Sequence, residues 1–502
     1  MLEVPEMRAF RLTDTALAEL AAGRPSAATV GELRRSQISR HLLLLSETLK
    51  RPGSQIPFWY ADSGATADTR AAALADPMRA LHTAATLAAL RAGAAPPPEP
   101  VISGHELTAT HDGLTLRVRL EDTDPLRTRL GLTPSRQLTA AEVAGWQRLL
   151  TEAWRLLVAR HRPAATTLAA TLRVLVPIEP DPGDAGLSAT SAEAFGAVAL
   201  SPPPDAPTLA VGLLHECQHS LLNATRTLFD LIEPGSPATY SPWRDDPRPP
   251  FGLLHGAYAY QSVARFWRTE SRTGGPVAQF EFARWRAAVH DATDALLDGG
   301  YLTAAGERFV RAMRAEVTTW LSEEVDPGVE RLARDANADH RARWRLRNLE
   351  VDTEPLLDAW RQGWPSRLPE PKLRAGGGRA HGRSDRLDLV HRLLRGPATV
   401  DGFERDQSLQ PGSRERPGDD AWLRGEAGTA LSAYEKSLES LNRPSRPKGP
   451  PSPREVDVWA GIALVAPWRS VRERPEAARA VYLALEQETL FKIAERLERT
   501  LN

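Results

Sequence analysis

Residues 209–224, LAVGLLHECQHSLLNA, carry the order His-Glu-x-x-His, with His215, Glu216 and His219 at its centre. On an α-helix, residues four apart share a face. His215 and His219 therefore offer two imidazoles to one metal at about 2.1 Å, while Glu216 points roughly 100° away. The apolar residues around them predict a buried helix. The turn SPPPDAP just before supplies Asp205 as N-cap and Pro207 within the first turn, so the helix has a defined start. The same spacing also arises on helices that bind nothing, and a third ligand is needed to close a site.

Upstream, LRVLVPIEP (172–180) and FGAVALSPP (195–203) read as two short strands, and GLTLRVRLED (113–122) alternates as a half-buried strand does. LTAAEVAGWQRLLTEAWRLLVARH (138–161) is a long amphipathic helix. Apolar residues recur at helical spacing from 13 to 49, where SRHLLLLSETLK reads as a buried helix with a polar edge; a second helix over 76–95 stops at the prolines of 96–100. Downstream, residues 277–299 and 304–324 are helical, and the fold class expected is mainly α with a small β component. The Gly/Arg-rich segment 372–386 reads as a flexible boundary. It separates a metal-dependent catalytic domain (1–371) from a helical accessory domain (387–502), whose helix pairs resemble tetratricopeptide units without a clear period of about 34 residues.

At 502 residues the chain exceeds one ordinary core, and a formal net charge of -1 argues against nucleic acid or an anionic membrane surface as the main partner. Cys217 is the only cysteine, which excludes an intramolecular disulfide and suits a reducing cytoplasm. The N-terminal sequence lacks the apolar run of a signal peptide, and no stretch is long enough to span a bilayer.

The third ligand has several candidates. The metzincin continuation requires Gly and His where this chain has Leu222 and Thr225, which excludes that class. A gluzincin takes a glutamate from a following helix; the nearest, Glu233 in LIEPGSP, falls in an expected turn. His255 in PFGLLHGAYAYQSVARFW (250–267), where a new helix starts after a proline-rich loop, is the better choice. Between lies TYSPWRDDPRPP (239–250), read as a loop whose Arg244 and Arg248 would bind a carboxylate co-substrate bidentately, or pair with Asp245 or Asp246 as scaffolding. Tyr258 and Tyr260 follow His255 as pocket-lining, substrate-binding residues or as core aromatics. DHRARWRLRN (339–348) gathers His340, Arg341, Arg343, Arg345 and Arg347 around Trp344 and reads as a charged helix face from which one arginine could reach a ligand.

The combination of LLHECQHSLLN, YSPWRDDPRPPFGLLHGAYAYQSVARFWR and ADHRARWRLRN resembles the HExxH-motif proteins of ribosomal-peptide biosynthesis clusters, the 2-oxoglutarate-dependent peptide β-hydroxylase family, over residues 10–348. The resemblance implies Fe(II) held by His215 and His219, with 2-oxoglutarate and O2 as co-substrates and a precursor peptide as the substrate hydroxylated at a β-carbon. Other peptide-maturation enzymes would be further partners. The "HGAYAY" match supports His255 as the third ligand. Three protein ligands leave three open positions on octahedral iron but one on tetrahedral zinc; an all-histidine set departs from the usual iron triad, which contains a carboxylate. Glu216 or another acid therefore stays open as a ligand, and a zinc peptidase with Glu216 as catalytic general base is the alternative enzyme. The third reading is a non-catalytic peptide-binding maturation factor.

Overall fold

The computed structural model of the chain describes residues 10–61, 66–99, 103–180, 186–362, 370–374, 384–396, 417–441, 450–485 and 488–499. It is 63% helical with about 9% strand in small sheets, the mainly α class with a small β part. Two compact units emerge: Met1–Gly235 with Leu254–Thr269 and Val289–Ser322, and Ser236–Leu253 with Glu270–Ala288 and Glu323–Asn502.

The first unit opens with α1 (Asp14–Ala21) and α2 (Ala27–Leu49). The expected single helical run is broken because Gly23 turns left-handed (φ 65°) and Ser26 then caps α2, its hydroxyl accepting from the Thr29 amide at 3.3 Å. Helices α3 (Phe58–Ala61), α4 (Ala67–Leu74) and α5 (Pro77–Arg91) follow. Five strands form one sheet: β1 (His105–His111), β2 (Leu114–Leu120), β3 (Val174–Pro177), β4 (Ser188–Ala189) and β5 (Ala197–Leu200), in the order β1-β2-β3-β5-β4. The inner pairs β2–β3 and β3–β5 are parallel, and both edge strands run antiparallel to their neighbours.

The sequence reading missed β1. Its signal is the Asp112-Gly113 pair, whose backbone sits at φ 43° and 74°, the left-handed pair that a tight hairpin needs. Between β2 and β3 run α6 (Ala140–Arg160), opened by a Thr139/Glu142 capping box, and α7 (Arg162–Thr171). All residues of β3 and β5 are buried, and Val174, Val176, Ala197 and Ala199 pack with Met78 and Leu81 of α5.

β5 leads into α8 (Ala206–Arg226), which carries the His-Glu-x-x-His motif. Residues 254–269 of α9 (Pro250–Glu270), 289–298 of α10 (Pro276–Asp298) and the helix α11 (Ala304–Thr318) complete this unit. α11 starts so close to the chain at Leu231 that a Cβ on Gly306 would stand 1.9 Å from the Leu231 carbonyl oxygen, which leaves room for glycine alone.

In the second unit, residues 239–250, expected as a loop, contain an antiparallel ribbon of β6 (Thr239–Ser241) and β7 (Arg244–Arg248). Its prolines disguised it: Pro242 sits in the turn, and a two-stranded ribbon tolerates Pro247 on an open edge. α12 (Pro327–Asn348) is followed by β8 (Leu349–Glu350), which pairs with β9 (Lys372–Leu373), and by α13 (Thr353–Gln362). α14 (Asp385–Arg395), α15 (Pro417–Leu423), α16 (Ala427–Ser440) and α17 (Pro453–Val465) come next. α18 (Arg469–Glu473), α19 (Pro475–Ala484) and α20 (Leu490–Glu498) close the unit around Trp422, Tyr434, Trp459, Tyr482 and Ile493. Of the segment 372–386, Lys372 and Leu373 form β9 and Asp385 and Arg386 open α14, while 375–383 lie outside the described residues.

The arginines expected on a charged face of α12 are tied down by partners of this unit. Arg343 is 4% exposed and bonds Asp339 at 2.6 Å, with Asp457 as its second carboxylate. Arg345 pairs with Glu476 and Arg347 with Asp245. Arg341 stacks over the Tyr240 ring, and the Tyr240 hydroxyl meets His340 Nδ1 at 2.9 Å. Arg386, 3% exposed, joins Asp339 and Asp419 at 2.7 Å each, so four charged side chains pair with one another in the interior.

Candidate metal centre

α8 begins as its sequence requires: Asp205 Oδ1 accepts from the Thr208 amide at 2.8 Å, and Pro207, with no amide hydrogen to donate, sits in the first turn. The His215 and His219 Nε2 atoms lie 3.0 Å apart, with the rings edge to face. From α9, the His255 imidazole lies flat against His219, centroids 3.7 Å apart and planes 10° apart, so three imidazoles from two helices occupy one place. The Tyr260 ring stands edge-on to His215 at 5.2 Å.

Glu216 turns toward the sheet. Its Oε1 accepts from Ser188 Oγ of β4 at 2.7 Å and lies 3.9 Å from His215 Nε2. One ligand atom each from His215, Glu216 and His219 fall within 4.8 Å of one another. Two polar atoms here are buried without a hydrogen-bond partner, Glu216 Oε2 and His219 Nδ1. Such orphaned atoms are costly unless a ligand or water meets them.

Burial governs the ionisation. Desolvation pushes His215 down to about 4 and His219 well below its ordinary value, the neighbouring imidazoles His255 and His215 adding to the latter. Both are therefore neutral, and at 3.0 Å the two Nε2 atoms are within hydrogen-bond reach of each other, one of them the donor. Burial raises Glu216 to about 7 against the opposing Ser188 and Thr190 hydroxyls, and pushes the Cys217 thiol up to about 12, so Cys217 is an inert packing residue. His215 keeps 21% of its side-chain surface exposed, which leaves the cluster an approach from solvent.

Other expected residues stand elsewhere. Tyr258 is fully buried, its hydroxyl donating to the Leu20 carbonyl at 2.6 Å and its ring against Phe309, so it is a core residue with no face for a substrate. Arg244 and Arg248 belong to the second unit, where both bond Asp246, at 2.8 and 3.2 Å, in the scaffolding arrangement. Glu233 follows a bridge at Ile232, its amide bonded to Tyr301 O at 2.7 Å, and lies on no helix. Ser188 is the site residue that sequence reasoning missed. No motif marks a serine that reaches a glutamate from a two-residue edge strand.

Set against known proteins, the chain matches no protein-family model and no curated protein.

Proposed function

We propose that His215, His219 and His255 hold a divalent metal, and that the protein is a non-haem iron enzyme that uses 2-oxoglutarate and O2 to hydroxylate a β-carbon of a ribosomally made peptide. The observation that carries this reading is the 3.0 Å between the His215 and His219 Nε2 atoms. At that spacing both nitrogens can reach one ion at about 2.1 Å. A bound iron with its co-substrates supplies the oxidising power for the carbon–hydrogen bond. The chain supplies the rest. Burial keeps His215 and His219 unprotonated, α8 fixes their spacing, stacking on His219 orients His255, and Tyr260 borders His215 where a substrate would lie.

A zinc peptidase is the second reading, and a specific observation favours it. The Glu216 carboxyl, 3.9 Å from His215 and raised to about 7, has the placement and proton affinity of a general base. The deciding experiment loads metal-free protein anaerobically with Fe(II) or Zn(II) and measures succinate release and peptide cleavage in wild type and Glu216→Gln. Retained iron binding and peptide-dependent succinate in the variant is the expected result. Cleavage without 2-oxoglutarate, abolished by Glu216→Gln, would establish the peptidase instead.

A further inference from the structure

A shallow, half-open depression of the first unit lies between α2, the start of α5, the end of α7 and the turn joining β4 to β5, with an accessible volume of about 20 Å³. Three guanidiniums line it. Arg173 is fixed at the end of α7, donating to the carbonyls of Ala169, Ala170 and Leu172 at 2.9, 2.9 and 2.6 Å. Arg34 and Arg40 line the same cleft half-buried and, among the described residues, make no hydrogen bond or ion pair. Arg34 stands near enough to Arg173 for the two charges to repel, so the cleft concentrates positive charge that the fold leaves uncompensated.

The acids in the wall do not cancel it. Asp76 is already spent on Arg119, at 2.5 Å, and on capping α5. Glu193 has no side-chain partner among the described residues, and the floor is apolar, with Ile38 and Phe195. Cations, one acceptor and an apolar floor suit a ligand that combines carboxylate, N–H donors and hydrocarbon. Phosphate-rich polymers offer no counterpart to Glu193 or to the floor.

The cleft is linked to the metal centre through the chain. Glu193 is five residues from Ser188, whose hydroxyl holds Glu216, so at most about 17 Å of extended chain separates the two. We propose that this cleft docks an acidic, apolar segment of the substrate peptide, its carboxylate on Arg34 and Arg40, its hydrocarbon on Ile38 and Phe195, and its amide donating to Glu193. The choice of a peptide rests on the functional reading above. Docking here would hold the chain within reach of the imidazoles while leaving them to the residue that reacts.

The test measures binding alone, on metal-free full-length protein, by fluorescence anisotropy. Three labelled decapeptides of equal length serve as probes: one of Glu and Leu, one with every Glu replaced by Gln, and one with every Glu replaced by Lys. The Glu/Leu peptide should bind, the other two should not, and Arg34→Gln with Arg40→Gln should weaken binding by about tenfold or more. Affinity should also fall as salt rises. The charge-reversed Arg34→Glu, Arg40→Glu protein should gain affinity for the Lys/Leu peptide, an outcome that misfolding cannot mimic. His215→Ala should bind the Glu/Leu peptide as wild type does, so loss of metal chemistry and loss of docking read out separately. Equal binding of all three peptides, or of the Glu/Leu peptide to wild type and the double Gln variant, overturns the proposal. Free glutarate displacing the peptide at matched concentration would also overturn it, in favour of a small dicarboxylate.

Discussion

Two interiors of this molecule bury polar side chains and treat them in opposite ways. In the second unit, Asp339 meets Arg343 and Arg386 at 2.6 and 2.7 Å; burial alone would raise its carboxyl, yet the two guanidiniums pull it to about 2. In the first unit, no cation faces Glu216 among its described contacts, and burial leaves it at about 7 with one oxygen unmatched. The paired cluster matches each buried carboxylate with a guanidinium and fastens α12, α14, α15 and α17 together. In the imidazole cluster Glu216 Oε2 and His219 Nδ1 have no hydrogen-bond partner. What separates the two is charge: one buried carboxylate is met by guanidiniums, the other by hydroxyls.

The strongest way to break this contrast is to remove ligands. His215→Ala or His219→Ala should abolish Fe(II) binding in an anaerobic titration, and His255→Ala should weaken it severely, because each removes one arm of a three-point chelate. Full iron occupancy in the His255 variant would take it out of the set. Metal-free His215→Ala should change the unfolding free energy by only about 1 kcal/mol. Arg386→Met should do the reverse: it leaves Asp419 buried without its cation and Asp339 with Arg343 alone, and should cost about 3–5 kcal/mol in urea unfolding, with no change in metal affinity. Equal destabilisation by the two variants would erase the distinction.

Acid should separate the regions more finely. His215 titrates at about 4 when folded against 6.5 ordinarily, so its contribution is present above 6.5 and lost as pH falls through 4. Glu216 has the opposite sign. Folded at about 7 against 4.5, it holds a proton the unfolded chain has lost, and its contribution, present below 4.5, fades as pH rises through 7. The two oppose each other between 4.5 and 6.5, so metal-free Glu216→Gln should show a steeper rise of stability with pH there than wild type does. Asp339, at about 2 against 3.8, should contribute evenly through that window and fail only as pH falls from 3.8 through 2. Smallest is Ser188→Ala, which leaves Glu216 Oε1 without its donor and should cost about 1 kcal/mol at pH 5 by thermal unfolding.

Local rules made much of this legible in the sequence. The α8 cap, the α6 capping box, the buried runs of β3 and β5 and the four-residue histidine spacing depend on neighbours in the chain, and period and cap residues display them directly. The misses have physical reasons. The break at Gly23 and the hairpin at Asp112-Gly113 turn on positive φ, which a count of apolar residues passes over. The α12 arginines looked like a solvated face because their carboxylates come from Asp245, Asp457 and Glu476, far away in the chain. Ser188 and the Arg34–Arg40 cleft likewise depend on tertiary approach and leave no periodic trace.

The division of the three imidazoles between helices also has a consequence in time. His215 and His219 come together once a single capped helix winds, a step of about a microsecond or less that needs no distant partner. During synthesis that pair is presented before His255 has been made. A two-armed chelate follows the general affinity order, in which copper, nickel and zinc outrank iron. If the finished protein holds a metal as proposed, the ion would be set partly by which ions the nascent chain meets before α9 docks, and maturation in a cell that meters those metals would become part of the site's selectivity.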